Sequence, residues 1–210
     1  VTDYVAEETA IVASNEAPGA NVTGYSDMSD SAAHVDLTKK LCPDAKTVAI
    51  IYCSAEPNSV IQGKQAEELY QAAGLTTVTL TDSDITTISS VVTSACDQAD
   101  VIYIPTDNLF AENMESVKNI AEPAKIPVIC GEGGMVEAGG VATYALDYYN
   151  LGKMTAKQAV RVLVDGEDIS KMAIEYAAGD ELKYAVNKAI ADQLNLTIPA
   201  EILDNATIFE

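Results

Sequence analysis

The 210 residues carry 32 acidic and 12 basic side chains, a formal charge of −20, and 48% of them are apolar. The apolar share is ample for the core of one large domain or two small ones. The charge argues against nucleic acid and against an anionic membrane surface, because both need clustered Lys and Arg and the only adjacent basic pair is Lys39-Lys40. The chain opens on VTDYVAEETA, which reads as the tail of a strand entering a loop in a piece of a longer protein. GANVTGYSDM then reads as a short strand. SAAHVDLTKKLC has helical spacing (Ala33, Val35, Leu37, Leu41), with His34 on its polar side, and ends at Pro43. KTVAIIYC is a continuous apolar strand, as expected in a parallel sheet covered on both faces. NSVIQGKQAEELYQAAG is an amphipathic helix closed by Gly74. LTTVTL is a β-branched strand, and SDITTISSVVTSACDQA a helix capped by Ser83 or Asp84. DVIYIP, NLFAENMESVKNIAEPAK and IPVICG continue as strand, helix and strand. A further strand, a polar-aromatic turn and a long helix stopped by Gly166 follow. Two short strands, a helix from Lys188 and a last helical turn led by Pro199 complete the pattern. Strands separated by helices of this length predict βαβ units and a doubly wound parallel α/β sheet.

Cysteine and histidine usage narrows the chemistry. Cys42, Cys53, Cys96 and Cys130 show neither CxxC nor metal-like spacing, and Cys53 and Cys130 each end an apolar run. Free, buried thiols are expected, the alternative being a Cys42–Cys96 bridge. With His34 the one histidine, a His-based triad or His-rich zinc site is nearly excluded. GEGG lacks dinucleotide spacing, and Cys53 has no neighbouring His to activate it. Neither a catalytic residue nor a cofactor is expected.

In an open parallel sheet, ligands bind beyond the carboxyl ends of the strands. The strand at 47–53 delivers Ser54, Glu56, Asn58 and Ser59, and the strand at 100–104 delivers Thr106, Asp107 and Asn108. The strand at 126–130 delivers Glu132, and that at 141–146 delivers Asp147, Tyr148 and Tyr149. None of these ends carries Lys, Arg or His. Backbone N–H groups at the helix after Pro57, with Ser54, Asn58 and Ser59, can hold a carboxylate. Asp107, Glu132 and Asp147 can accept from an ammonium, and the tyrosines can stack on an apolar or aromatic side chain. The inventory suits a zwitterion, although Ser, Asn and Asp are also frequent simply as helix caps.

NVTGYSDM, PDAKTVAIIYCSAEPNSV, VIYIPTDN, IPVICGEGGMVEAGGVATYALDYYNLG and VNKAIADQLNLTIPAEIL together resemble, in order and across nearly the whole chain, one family. It is the ABC-transporter substrate-binding proteins of the tryptophan/tyrosine-uptake type, with a type I periplasmic-binding-protein fold. The resemblance implies two α/β lobes joined by three crossovers, with an amino acid clamped between them and handed to a membrane permease. It implies export, often with a lipid anchor, and a further N-terminal segment carrying most of lobe 1. On this reading 28–139 with 173–210 form a complete lobe 2, and 1–27 with 140–172 a partial lobe 1. Residue by residue it implicates Ser54, Glu56, Asn58, Ser59, Thr106, Asp107, Asn108, Glu132, Asp147 and, less directly, Tyr148. Cys53 and Pro57 depart from the residues usual in the family. The competing reading is the effector-sensing domain of a regulator with the same fold, which would need a basic DNA-binding segment upstream.

Overall fold

The computed structural model describes residues 11–210, so the strand tail expected in VTDYVAEETA lies outside the described residues. In chain order the elements are β1 (Tyr25–Ser26), α1 (Ser31–Leu41), β2 (Thr47–Cys53), α2 (Pro57–Ala72), β3 (Thr76–Asp82), α3 (Ile88–Gln98) and β4 (Val101–Ile104). Next come α4 (Asn108–Ala111), α5 (Met114–Ala124), β5 (Val128–Cys130), α6 (Gly133–Ala138), β6 (Ala142–Leu146) and α7 (Tyr148–Leu163). The chain finishes with β7 (Glu175–Tyr176), β8 (Leu182–Asn187), α8 (Lys188–Gln193), α9 (Ala200–Leu203) and β9 (Ala206–Phe209). Seven strands form one sheet in the order β3-β2-β4-β5-β6-β8-β9, while β1 and β7 form a separate pair. β2 is parallel to β3 and β4, β4 to β5, β5 to β6, and β8 to β9. The doubly wound parallel sheet expected from the alternation is present.

The apolar runs of β2 and β4 exist because both faces of the sheet are covered. Val48, Ile50, Tyr52, Val101 and Tyr103 point into a core shared with α1, α2, α8 and α9. Their strand neighbours Ala49, Ile51, Ile102 and Ile104 point into a second core formed with α3 to α6. Each buried Val or Ile among them contributes about 1.5–3 kcal/mol by leaving water.

Contacts divide the chain into two compact units, Ser29–Ala145 with Lys183–Glu210, and Val1–Met28 with Leu146–Leu182. These boundaries differ from 139/140 and 172/173. Pairing of β6 on β5 (Ala142 opposite Ile129) carries residues 142–145 into the larger unit. Pairing of β7 on β1 (Glu175 opposite Tyr25), and the Thr23 hydroxyl donating to the Met172 and Ala173 carbonyls, hold 173–176 in the smaller one.

Local chemistry corrects several expected elements. The helix anticipated from Ser83 starts at Ile88. The Asp82 carboxylate accepts from the Ser83 and Asp84 amides and the Thr87 hydroxyl, folding 83–87 as a turn instead. The helix anticipated over 108–125 is two, broken at Glu112 and Asn113, where the Asn113 side chain donates to the Leu109 carbonyl at 2.7 Å. Helix α6 and strand β9 were not anticipated. His34 is fully buried rather than on a polar face. All four cysteines are free, so there is no Cys42–Cys96 bridge. No helix among the described residues is long and apolar enough to cross a membrane.

Candidate functional site

Because β3, β2, β4 and β5 are parallel neighbours, their carboxyl ends open at one edge of the sheet. The loops at 54–57, 83–87, 105–107 and 131–132 therefore share that edge within the larger unit. Ser54 is fixed there by donating its amide (2.7 Å) and hydroxyl (3.2 Å) to the Asp82 carbonyl. Asn58 Nδ2 and Ser59 Oγ both donate to the Thr106 carbonyl, at 3.0 and 3.4 Å. The Thr106 amide donates to Gln62 Oε1 at 3.3 Å. A Cβ at Gly131 would stand 2.3 Å from the Thr106 nitrogen, so the two loops touch through backbone and only glycine fits. The Thr106 hydroxyl is buried without a hydrogen-bond partner.

The carboxylates divide by what they already hold. Asp107 is 2% exposed and caps α4: Oδ1 accepts from the Phe110 amide (2.9 Å) and Oδ2 from the Cys53 amide (2.6 Å). Burial pushes its pKa up, and those amide bonds oppose the shift. Glu56 turns away from its own helix. Its carboxylate accepts from the amides of Asn108 (3.1 Å) and Leu109 (3.0 Å) and from Asn108 Nδ2 (2.7 Å). No side chain therefore caps α2. With Pro57 lacking an N–H, the first-turn donors of that helix are Asn58 and Ser59. Glu132 sits half-buried at the N-terminus of α6.

Eight of the expected residues thus gather at one sheet edge: Ser54, Glu56, Asn58, Ser59, Thr106, Asp107, Asn108 and Glu132. Asp147 and Tyr148 belong to the smaller unit. Asp147 is exposed and caps α7 by accepting from the Asn150 amide at 2.9 Å. Tyr148, 44% exposed, donates its hydroxyl to Asp27 at 3.2 Å. Tyr149 is more exposed and carries Lys153 over its ring. Sequence reasoning missed Gln62. Its signal was positional, three and four residues after Ser59 and Asn58 on one helix face. Among the described residues no group of three or more His, Cys, Asp and Glu could hold a metal ion.

Residues 1–209 match the family model described as ABC transporter substrate binding protein. The chain is 34% identical over 199 residues to a tyrosine-binding protein of Clostridioides difficile (strain R20291), a match covering 93% of this chain and 55% of that protein. It thus spans about half the length of that curated relative. Among solved structures, an ABC domain from Streptococcus pneumonia in complex with L-Trp is similar, with a TM-score of 0.88 and 32% identity. That match covers 98% of this chain and 70% of the other. The ligand-free, open form of a substrate-binding protein with adhesive properties from Clostridium difficile aligns with a TM-score of 0.79 at 32% identity, over 100% of this chain and 70% of that one.

Proposed function

The chain belongs to the ABC transporter substrate-binding proteins, and from that premise we propose that it binds a single aromatic amino acid of the tryptophan–tyrosine class at the strand-end loops of the larger unit. The family is one of solute-binding proteins, not enzymes, and the sheet is of the type I periplasmic-binding-protein kind. The observation that carries the ligand reading is the start of α2. Its N-cap carboxylate is committed to α4, so the amides of Asn58 and Ser59 and the positive end of the helix dipole are left for a ligand carboxylate. The unpartnered Thr106 hydroxyl beside them supplies a further donor or acceptor.

In this reading Ser54, Asn58, Ser59 and Thr106 hold the carboxylate. Glu132 accepts from the ammonium, and Glu56, Asp107 and Asn108 shape the loop. The C. difficile relative's name and the S. pneumonia complex with L-Trp support the choice of ligand. The protein then works outside the cytoplasm and delivers the amino acid to the membrane subunits of an importer.

The test is calorimetric titration with L-tryptophan, L-tyrosine, tryptamine (no carboxylate) and indole-3-propionate (no ammonium). Each truncation removes hydrogen bonds in which the ligand group is charged, at a cost of about 1.5–3 kcal/mol, or roughly 10- to 150-fold in affinity. Tryptamine binding as tightly as tryptophan would remove the carboxylate subsite. Heat from no amino acid would overturn the ligand class.

A further inference from the structure

Gln62 lies in the second turn of α2 and is 1% exposed. Its side-chain oxygen accepts from two directions, the Thr106 amide at 3.3 Å and the Ser29 hydroxyl at 2.8 Å. Thr106 belongs to the candidate ligand loop. Ser29 is the first residue of the larger unit after the chain crosses over from Met28. A buried amide that served only packing would do so at a desolvation cost that an aliphatic side chain avoids. This one is spent on joining two backbone segments.

A second buried set of bonds joins other segments of the larger unit: the Tyr103 hydroxyl bonds to His34 Nδ1 at 3.2 Å. His34 Nε2 faces the Tyr144 carbonyl at 3.0 Å and the Thr143 hydroxyl at 3.2 Å. A carbonyl can only accept, so Nε2 carries the ring proton, and Nδ1 of the neutral ring accepts from Tyr103. Tyr144 stands just before the chain's second crossing, after Ala145. Gln62 thus joins Thr106 to Ser29, where the chain enters the larger unit, and His34 separately joins Tyr103 to Tyr144, near where it leaves.

We propose that Gln62 is a positioning residue of the ligand site, fixing the Thr106 peptide and tying its placement to the crossing segment at Ser29. Thr106 is held at its carbonyl by Asn58 and Ser59 and at its amide by Gln62, with the Gly131 backbone against its nitrogen. Its hydroxyl is the one polar group of the residue left for a ligand. A peptide plane held at both ends presents that hydroxyl in one direction, which lowers the ordering cost of binding. The proposal rests on reading this loop as the amino-acid site.

The experiment uses the full chain with Gln62→Met, which keeps length but removes the acceptor, Gln62→Glu, which keeps an oxygen, and Ser29→Ala. Three quantities are read: affinity for L-tryptophan and L-tyrosine, thermal unfolding, and the amide resonance of Thr106 by NMR. Gln62→Met should lose about tenfold in affinity, as for one hydrogen bond in a buried site, and should shift the Thr106 amide upfield. Gln62→Glu should restore most of both. Ser29→Ala should shift the same resonance and cost a few-fold in affinity. A folded Gln62→Met with wild-type affinity overturns the proposal. If Gln62→Met does not fold, an unmoved Thr106 resonance in Ser29→Ala overturns it instead. Should the wild-type protein bind no amino acid, the ligand reading fails, and the Thr106 resonance in the same variants still decides the positioning role.

Discussion

The two units hold themselves together by different means. In the larger, a sheet is packed on both faces, and among the described residues its exposed large apolar side chains are Ile85 and Ile208. The smaller has a two-stranded pair and one long helix, and it leaves Ile11, Tyr148, Tyr149, Val160, Leu163, Val164 and Tyr176 exposed. Its ties are polar. Arg161 pairs with Glu167 at 2.7 Å and Glu175 at 2.9 Å, and the Tyr25 hydroxyl donates to Glu175. One apolar fraction over the whole chain conceals this contrast. Apolar area stabilises the first unit with little dependence on salt, whereas exposed charge pairs stabilise the second weakly and are screened.

The largest expected difference is between matched truncations. Ile50→Ala empties space in a fully buried core and should cost about 2–5 kcal/mol in urea unfolding. Leu163→Ala, on a side chain 82% exposed, should stay within about 0.5 kcal/mol. Equal losses would break the contrast.

Next in size is a pH effect confined to the larger unit. Burial pulls the pKa of His34 down to about 4 from an ordinary 6.5, against the opposing pull of the Tyr144 carbonyl and Asp30. From pH 6.5 downward the unfolded chain takes a proton that the folded one refuses. Stability is therefore complete above 6.5 and falls as the pH drops towards 4, by up to roughly 3 kcal/mol. Urea titrations across that window should show the slope in the wild type and its reduction in His34→Gln, the difference cancelling the carboxylates common to both. Parallel curves would place the proton elsewhere.

The smallest effect sharpens the picture of the other unit. Arg161→Met should lower its melting temperature slightly at low ionic strength and hardly at all in molar salt. A large, salt-independent loss would mean that Arg161 serves by packing.

Much of the fold was legible because β2 and β4 are apolar on both faces, which the sequence writes as unbroken runs. What escaped reading was decided by single side chains acting on the backbone. Asp82 stopped a helix from starting at Ser83, and Asn113 split another. Strand β9 was hidden because an edge strand of four residues, half of them exposed, carries no solid run. At the site, Ser54, Asn58, Ser59 and Thr106 were identifiable as strand-end polar residues. The partners of Glu56 and Asp107 were not, because a carboxylate accepting from amides 52 to 54 residues away reads the same in sequence as one awaiting a ligand. His34 was read on a polar helix side, and Gln62 was passed over. Their burial depends on Tyr103, Tyr144 and Ser29, which the chain brings from afar.

The environment of the native thiols has a practical consequence for reporter chemistry. Burial raises the pKa of all four, Cys42 to about 12, with nearby carboxylates adding to the effect at Cys53 and Cys130. Thiolate is the attacking species in alkylation, so near neutral pH none of them competes well for a maleimide dye. A cysteine introduced at exposed Ser83, in the 83–87 loop at the same sheet edge as the proposed ligand loops, would take the dye almost alone. Binding of the proposed amino-acid ligand could then be read by fluorescence with the protein's own cysteines left in place.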